Sequence, residues 1–142
     1  MVFYTFDYDA FPNIKIIFDG KVNNEELDQL FKEWLDIYKC KKNFNIIFDI
    51  TKVVSPTVMF AYKMANFIKV LRKQKPQYFK KSFIIAPQSK LLKCLLNLTF
   101  SISKPVSCVY IYWKRKNENI TVDDILNVYN KNMFKFNYIS NK

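Results

Sequence analysis

A chain of 142 residues that is half hydrophobic and 18% aromatic is long enough to bury one apolar core and too apolar to remain disordered. It contains no histidine, which removes imidazole acid–base chemistry, histidine-paired nucleophiles and histidine-ligated zinc. The net charge of +11 is unevenly distributed: residues 1–36 carry net −5, whereas residues 37–116 carry net +16 with Asp49 as their one acid, a pattern that bears on partners rather than on fold.

Residues 2–6 and 14–18 read as two short strands joined through turn formers and Pro12. A helix follows, with Asn23 as N-cap and Glu26 at capping-box spacing. Leu27, Leu30, Phe31, Trp34, Leu35 and Tyr38 form its apolar stripe. Phe44 to Phe48 reads as a buried parallel strand closed by Asp49. Ser55-Pro56 predicts the start of a second helix, with Ser55 as cap and an inward stripe of Phe60, Met64, Phe67, Ile68 and Leu71. Ser82 to Ala86 is the next buried strand. Ser89 caps a third, leucine-rich helix to about Leu98. Val106 to Trp113 is another strand, and Thr121 caps a fourth helix. Residues 131–142 read as a tail or an edge strand. Strands alternating with helices imply one α/β domain over residues 1–142, with a mainly parallel central sheet and about four helices.

Cys40, Cys94 and Cys108 are widely spaced and include no C-x-x-C, so they read as reduced thiols packed as small core hydrophobes. Together with the lack of a signal-peptide pattern or a ~20-residue apolar stretch, they predict a cytoplasmic or otherwise intracellular protein that is not secreted. The Lys- and Asn-rich, Arg-poor composition is associated with AT-rich genes, as in many large DNA viruses and some parasites.

Three stretches carry a family resemblance. They are Ile14-Lys15-Ile16-Ile17-Phe18-Asp19-Gly20-Lys21-Val22, then Asn45-Ile46-Ile47-Phe48-Asp49-Ile50-Thr51-Lys52-Val53, then Phe83-Ile84-Ile85-Ala86-Pro87 followed by Leu91, Leu92 and Leu95. In this order they resemble the STAS domain of anti-sigma-factor antagonists and sulfate-transporter tails, and more weakly the CRAL-TRIO lipid-carrier core. STAS antagonists carry Asp-Ser-Ser-Gly where this chain has Val54-Ser55-Pro56-Thr57-Val58, so the phosphorylated-serine motif is not reproduced. The STAS resemblance implies a non-catalytic interaction module, and the CRAL-TRIO resemblance implies lipid binding.

Candidate partner-binding residues lie at the start and on the outer face of the second helix: Ser55, Thr57, Met59, Tyr62, Asn66 and Val70. At 100° per residue the last four point away from the inward stripe, and a second apolar stripe marks either a partner surface or a face covered by a neighbour. Lys73, Lys75, Lys80, Lys81, Lys114, Arg115 and Lys116, interleaved with Tyr78, Phe79, Tyr112 and Trp113, form a candidate anion-binding set. Asp49 reads as a loop acceptor or a partner for Lys52. No phosphate-binding loop, metal cluster or paired acid and base appears, so neither an enzyme nor a cofactor is expected. The expected function is protein interaction, with self-association as one form of it. An anionic-lipid or membrane-surface binder is the alternative and a nucleic-acid-associated protein the second alternative.

Overall fold

A computed structural model describes residues 2–116 and 137–139. Its strands are β1 (Tyr4–Asp7), β2 (Asn13–Lys21), β3 (Phe44–Val54), β4 (Phe79–Pro87), β5 (Cys108–Lys114) and β6 (Asn137–Ile139), and its helices are α1 (Asn24–Ile37), α2 (Val58–Arg72) and α3 (Lys90–Ile102). All six strands form one sheet whose spatial order is the chain order. Strands β2 to β5 pair in parallel, while β1 and β6 pair antiparallel at the two edges. The expected α/β class and mainly parallel sheet are therefore present. Three α-helices lie among the described residues; the helix expected from Thr121 falls outside them.

Sequential order has a geometric consequence. Right-handed crossovers between successive neighbours turn every helix onto the same face of the sheet. The core follows from this. Ile16, Phe48, Ile84 and Ile111 stand opposite one another in register across the four parallel strands. They share one apolar cluster with Leu27 and Trp34 of α1, Phe67 and Leu71 of α2, and Leu92 of α3. Each fully buried Leu, Ile or Phe contributes roughly 1.5–3 kcal/mol. Ile47, Phe83, Ile85 and Tyr112 face the other way and are also buried, which accounts for the continuous rather than alternating apolar runs of β3 and β4.

The local signals act much as their chemistry requires. Asn23 Oδ1 accepts the backbone N–H of Glu25 at 2.8 Å and of Glu26 at 3.2 Å, which starts α1. The helix tightens into a 3₁₀ turn over Tyr38–Cys40 and stops at Lys41, which takes a left-handed φ of 54°. Ile37 is buried where the stripe pointed to Tyr38; Tyr38 instead rests half-buried and donates its hydroxyl to Gln77 at 2.5 Å. Ser89 Oγ accepts from Leu92 N and starts α3, which runs four residues past the expected Leu98. On α2 the buried positions are Ala61, Ala65, Phe67, Ile68 and Leu71, while Phe60 and Met64 are partly buried. The two alanines were missed because a 3.6-residue stripe of large residues draws attention from small ones. Thr99 Oγ1 reaches the Ala61 carbonyl at 3.5 Å across the α2–α3 interface.

Candidate functional site

Helix α2 is the middle helix of the layer. Phe31 of α1 stacks on its Phe67, and Lys63 pairs with Asp28 of α1 at 3.6 Å. Its other flank meets α3. Because Ala61, Ala65, Ile68 and Leu71 take the inward positions, Met59, Tyr62, Asn66 and Val70 take the outward ones. All four are exposed, with Met59 at 54%, Tyr62 at 47% and Val70 at 42%. Val54 and Val58 extend the apolar row at the amino-terminal end of the helix.

The structure corrects the cap assignment there. Strand β3 continues to Val54, so Ser55 must turn the chain and does so with a left-handed φ of 48°. Thr57 is the N-cap, and its hydroxyl accepts from Phe60 N at 3.2 Å. Ser55 and Thr57 are both exposed at the end of the sheet where the parallel strands finish.

The basic residues do not form one patch. Lys73 and Lys75 precede β4, and Lys80 and Lys81 begin it. Lys114 stands opposite Pro87, the last residue of β4, and Arg115 and Lys116 follow it. Parallel pairing thus puts the two groups at opposite ends of the strands. Nor do the interleaved aromatics offer a stacking platform: Phe79 and Tyr112 are buried, and Tyr78 and Trp113 are half-buried. On a larger scale, chain order equals spatial order, so the acidic first 36 residues supply one edge of the sheet and its helix α1, and the basic residues 37–116 supply β3 to β5 with α2 and α3.

Asp49 lies within β3 rather than at its end, and its carboxylate accepts from Thr51 N at 3.0 Å and Thr51 Oγ1 at 2.6 Å. It is a local acceptor for Thr51, within the strand rather than in the loop where an acceptor was expected. The cysteines depart from expectation. Cys40 and Cys94 are exposed, and Cys108 is half-buried; none of the three is in a disulfide. Cys40 sits in the 3₁₀ turn and Cys94 on the outer side of α3, so neither position faces the core.

Two concavities lie among the described residues. A groove of about 560 Å³ lies between the β1–β2 hairpin and α1, lined by Tyr8, Phe11, Glu33, Asp36 and Cys40 among others. Burial, followed by the nearby Glu33 carboxylate, pushes the Tyr8 hydroxyl up to about 12. Burial likewise raises Glu33, opposed by its hydrogen bond with Tyr8, and Glu33 Oε2 is buried without a partner. No periodicity links Tyr8 to Glu33, so no short-range pattern signals this pair. The second concavity is a cavity of about 80 Å³ between the sheet and helices α2 and α3, with Trp34, Phe48, Met64, Leu92, Leu95 and Leu96 in its wall.

Among the described residues, no three His, Cys, Asp or Glu side chains are grouped to hold a metal ion, and no helix is long and apolar enough to cross a membrane. No protein-family model, curated protein or solved structure matches this chain.

Proposed function

We propose that this protein is a non-catalytic interaction module of STAS-like fold, and that it holds a protein partner against the outer face and amino-terminal end of α2. The supporting observation is the exposed row Val58, Met59, Tyr62 and Val70 on a helix whose other sides are packed. Single exposed apolar residues are ordinary, but an aligned row of them on one helix marks a surface that something covers. Tyr and Met supply large, adaptable contact area, and Asn66 in the same row supplies a donor and an acceptor. The three stretches that carry the STAS resemblance fall on β2, on β3 and on β4 with α3, in consecutive order. Copies bearing +11 each repel one another. An acidic protein surface is therefore the favoured partner, and a homodimer is the weaker form of the same contact.

The test is photo-crosslinking. Benzoylphenylalanine in place of Asn66 should yield discrete adducts with a partner or a second copy, and the same group in place of Lys93 on α3 should not. Equal labelling from the two positions would count against the assignment.

A second reading, binding of an anionic lipid, draws on the cavity lined by the α3 leucines. Its volume, about half that of an engineered cavity of ~150 Å³ that holds benzene, is small for an acyl chain. Lys90 and Lys93, the α3 lysines available to an anionic headgroup, are not among its lining residues.

A further inference from the structure

The end of the sheet where the parallel strands finish combines exposed aliphatic side chains with lysines. Register sets Lys21 of β2 beside Val54, the last residue of β3, and Lys114 of β5 beside Pro87, the last residue of β4. Helices α2 and α3 both start from this end, because each follows a parallel strand directly. The start of α3 is fixed beside the end of β5: Gln88 Nε2 donates to the Trp113 carbonyl at 3.0 Å, and Lys93 Nζ lies 5.1 Å from the Trp113 ring centroid. Val54, Val58 and Met59 at the entry to α2, and Leu91 in the first turn of α3, are each just over half exposed. Lys52, Lys90, Lys93 and Lys116 are exposed around them. No carboxylate stands in the first turn of either helix. Among the described residues, the acids of this end are Asp19, Glu25 and Glu26, at its α1 corner. The opposite end has lysines of its own, but the large apolar side chains exposed there, Tyr8 and Phe11, lie at the hairpin on the α1 edge.

We infer that this end of the molecule docks on an anionic membrane surface, with Val54, Met59 and Leu91 entering the boundary between headgroups and acyl chains and Lys90, Lys93 and Lys116 meeting the lipid anions. Charge complementarity and side-chain chemistry select this occupant. Aliphatic tips gain by leaving water for the acyl boundary, while long lysine side chains hold their ammonium groups at headgroup level. A nucleic acid would use the lysines but gain little from valine and leucine tips. The aromatic ring it would stack on is not free here, since Trp113 is half-buried beneath Lys93. The inference goes beyond the protein-partner assignment. Val58 and Met59 belong to both surfaces, but Lys90 and Leu91 lie on α3, and Tyr62, Asn66 and Val70 lie further along α2, so either assignment can fail without the other.

Co-sedimentation with vesicles tests it, using phosphatidylcholine alone and phosphatidylcholine with phosphatidylserine in equal parts. Saturable binding to the mixed vesicles and none to phosphatidylcholine alone is expected. Leu91→Gln with Val54→Thr changes no charge and should weaken binding about tenfold. Leu91→Gln alone carries this arm if the double variant does not fold. Lys90→Glu with Lys93→Glu should weaken binding roughly thirtyfold or more. Lys73→Glu with Lys75→Glu makes the same change of charge at the opposite end, beyond the reach of unscreened attraction, and should weaken it less than about threefold. Tyr62→Glu with Val70→Glu should bind vesicles nearly as the parent does, whatever it does to a protein partner. The proposal is overturned if the mixed vesicles do not retain the protein, if the two lysine pairs weaken binding equally, or if the apolar variants bind as the parent does. In that last case, equal affinity for a single-stranded oligonucleotide would assign the lysines to nucleic acid. Loss of vesicle binding in the Tyr62, Val70 variant would also overturn it and would move the membrane contact to the outer face of α2.

Discussion

The ring of Phe31 on α1 lies nearly flat on the ring of Phe67 on α2, with centroids 4.1 Å apart and 14° between the planes. Trp34, one turn further along α1, meets the same Phe67 edge-on at 5.0 Å. These contacts lock the first two helices together above the strand row of Ile16, Phe48, Ile84 and Ile111. Trp34→Ala and Phe67→Ala should therefore each destabilise the fold by about 3–5 kcal/mol, the range for large aromatic truncations in cores. Urea denaturation measures this, and losses below about 1 kcal/mol for both would mean that the two helices do not pack as described.

The amino-terminal turn of α2 makes a sharper prediction because two candidate caps stand two residues apart. Thr57→Ala removes the hydroxyl that accepts from Phe60 N and should cost ~0.5–2 kcal/mol. Ser55→Gly replaces a residue at a left-handed φ of 48° and should be neutral or stabilising by up to ~1 kcal/mol, because glycine adopts that conformation without a Cβ penalty. The reverse pattern would return the cap to Ser55.

That cap shows where the sequence was legible and where it was not. Asn23 is legible as a cap, despite the adjacent Asn24, because Glu26 stands at capping-box spacing from it, and Ser89 is legible because no other capping residue adjoins it. At α2 a Ser-Pro pair fits the start of a helix equally well, and the choice depended on β3 reaching Val54, which is set by pairing with β2 and β4. The outer row Met59, Tyr62, Asn66 and Val70 was readable from helical period alone. The separation of Lys80 from Lys114 was not, because it follows from β4 and β5 running parallel. The groove pair Tyr8 and Glu33 depends on contacts that no short-range pattern encodes.

Burial raises the hydroxyls of Tyr8 and Tyr38 above the ordinary tyrosine value, Tyr8 to about 12. A raised value means that the folded state keeps a proton the unfolded chain gives up. Stability should therefore fall as pH rises from about 10, the unfolded value, toward the raised folded values. Tyrosinate absorbance followed alongside unfolding checks this: Tyr8→Phe and Tyr38→Phe should each flatten the alkaline loss. Glu33, also raised by burial, acts in the same direction at lower pH. Stability should decline as pH rises through the window above the ordinary glutamate value, and Glu33→Gln should remove that decline.

The two separated basic groups predict two independent contributions to polyanion binding. On a heparin column, Lys73→Glu with Lys75→Glu, and Lys114→Glu with Lys116→Glu, should each lower the salt needed for elution, and the combined variant should lower it by about the sum. One pair abolishing retention by itself would point to a single continuous site, which their placement at opposite ends of β4 and β5 does not provide.

The most direct test of the central claim is the double variant Tyr62→Glu, Val70→Glu, examined by denaturation and by light scattering with pull-down on the same preparation. Both side chains are exposed on α2, at 47% and 42%, so the account predicts an unfolding midpoint within experimental scatter of the parent together with loss of the partner complex or dimer. A variant that unfolds would show that the row belongs to the core. A stable variant whose associations are all unchanged would show that the outer face of α2 is not the functional surface.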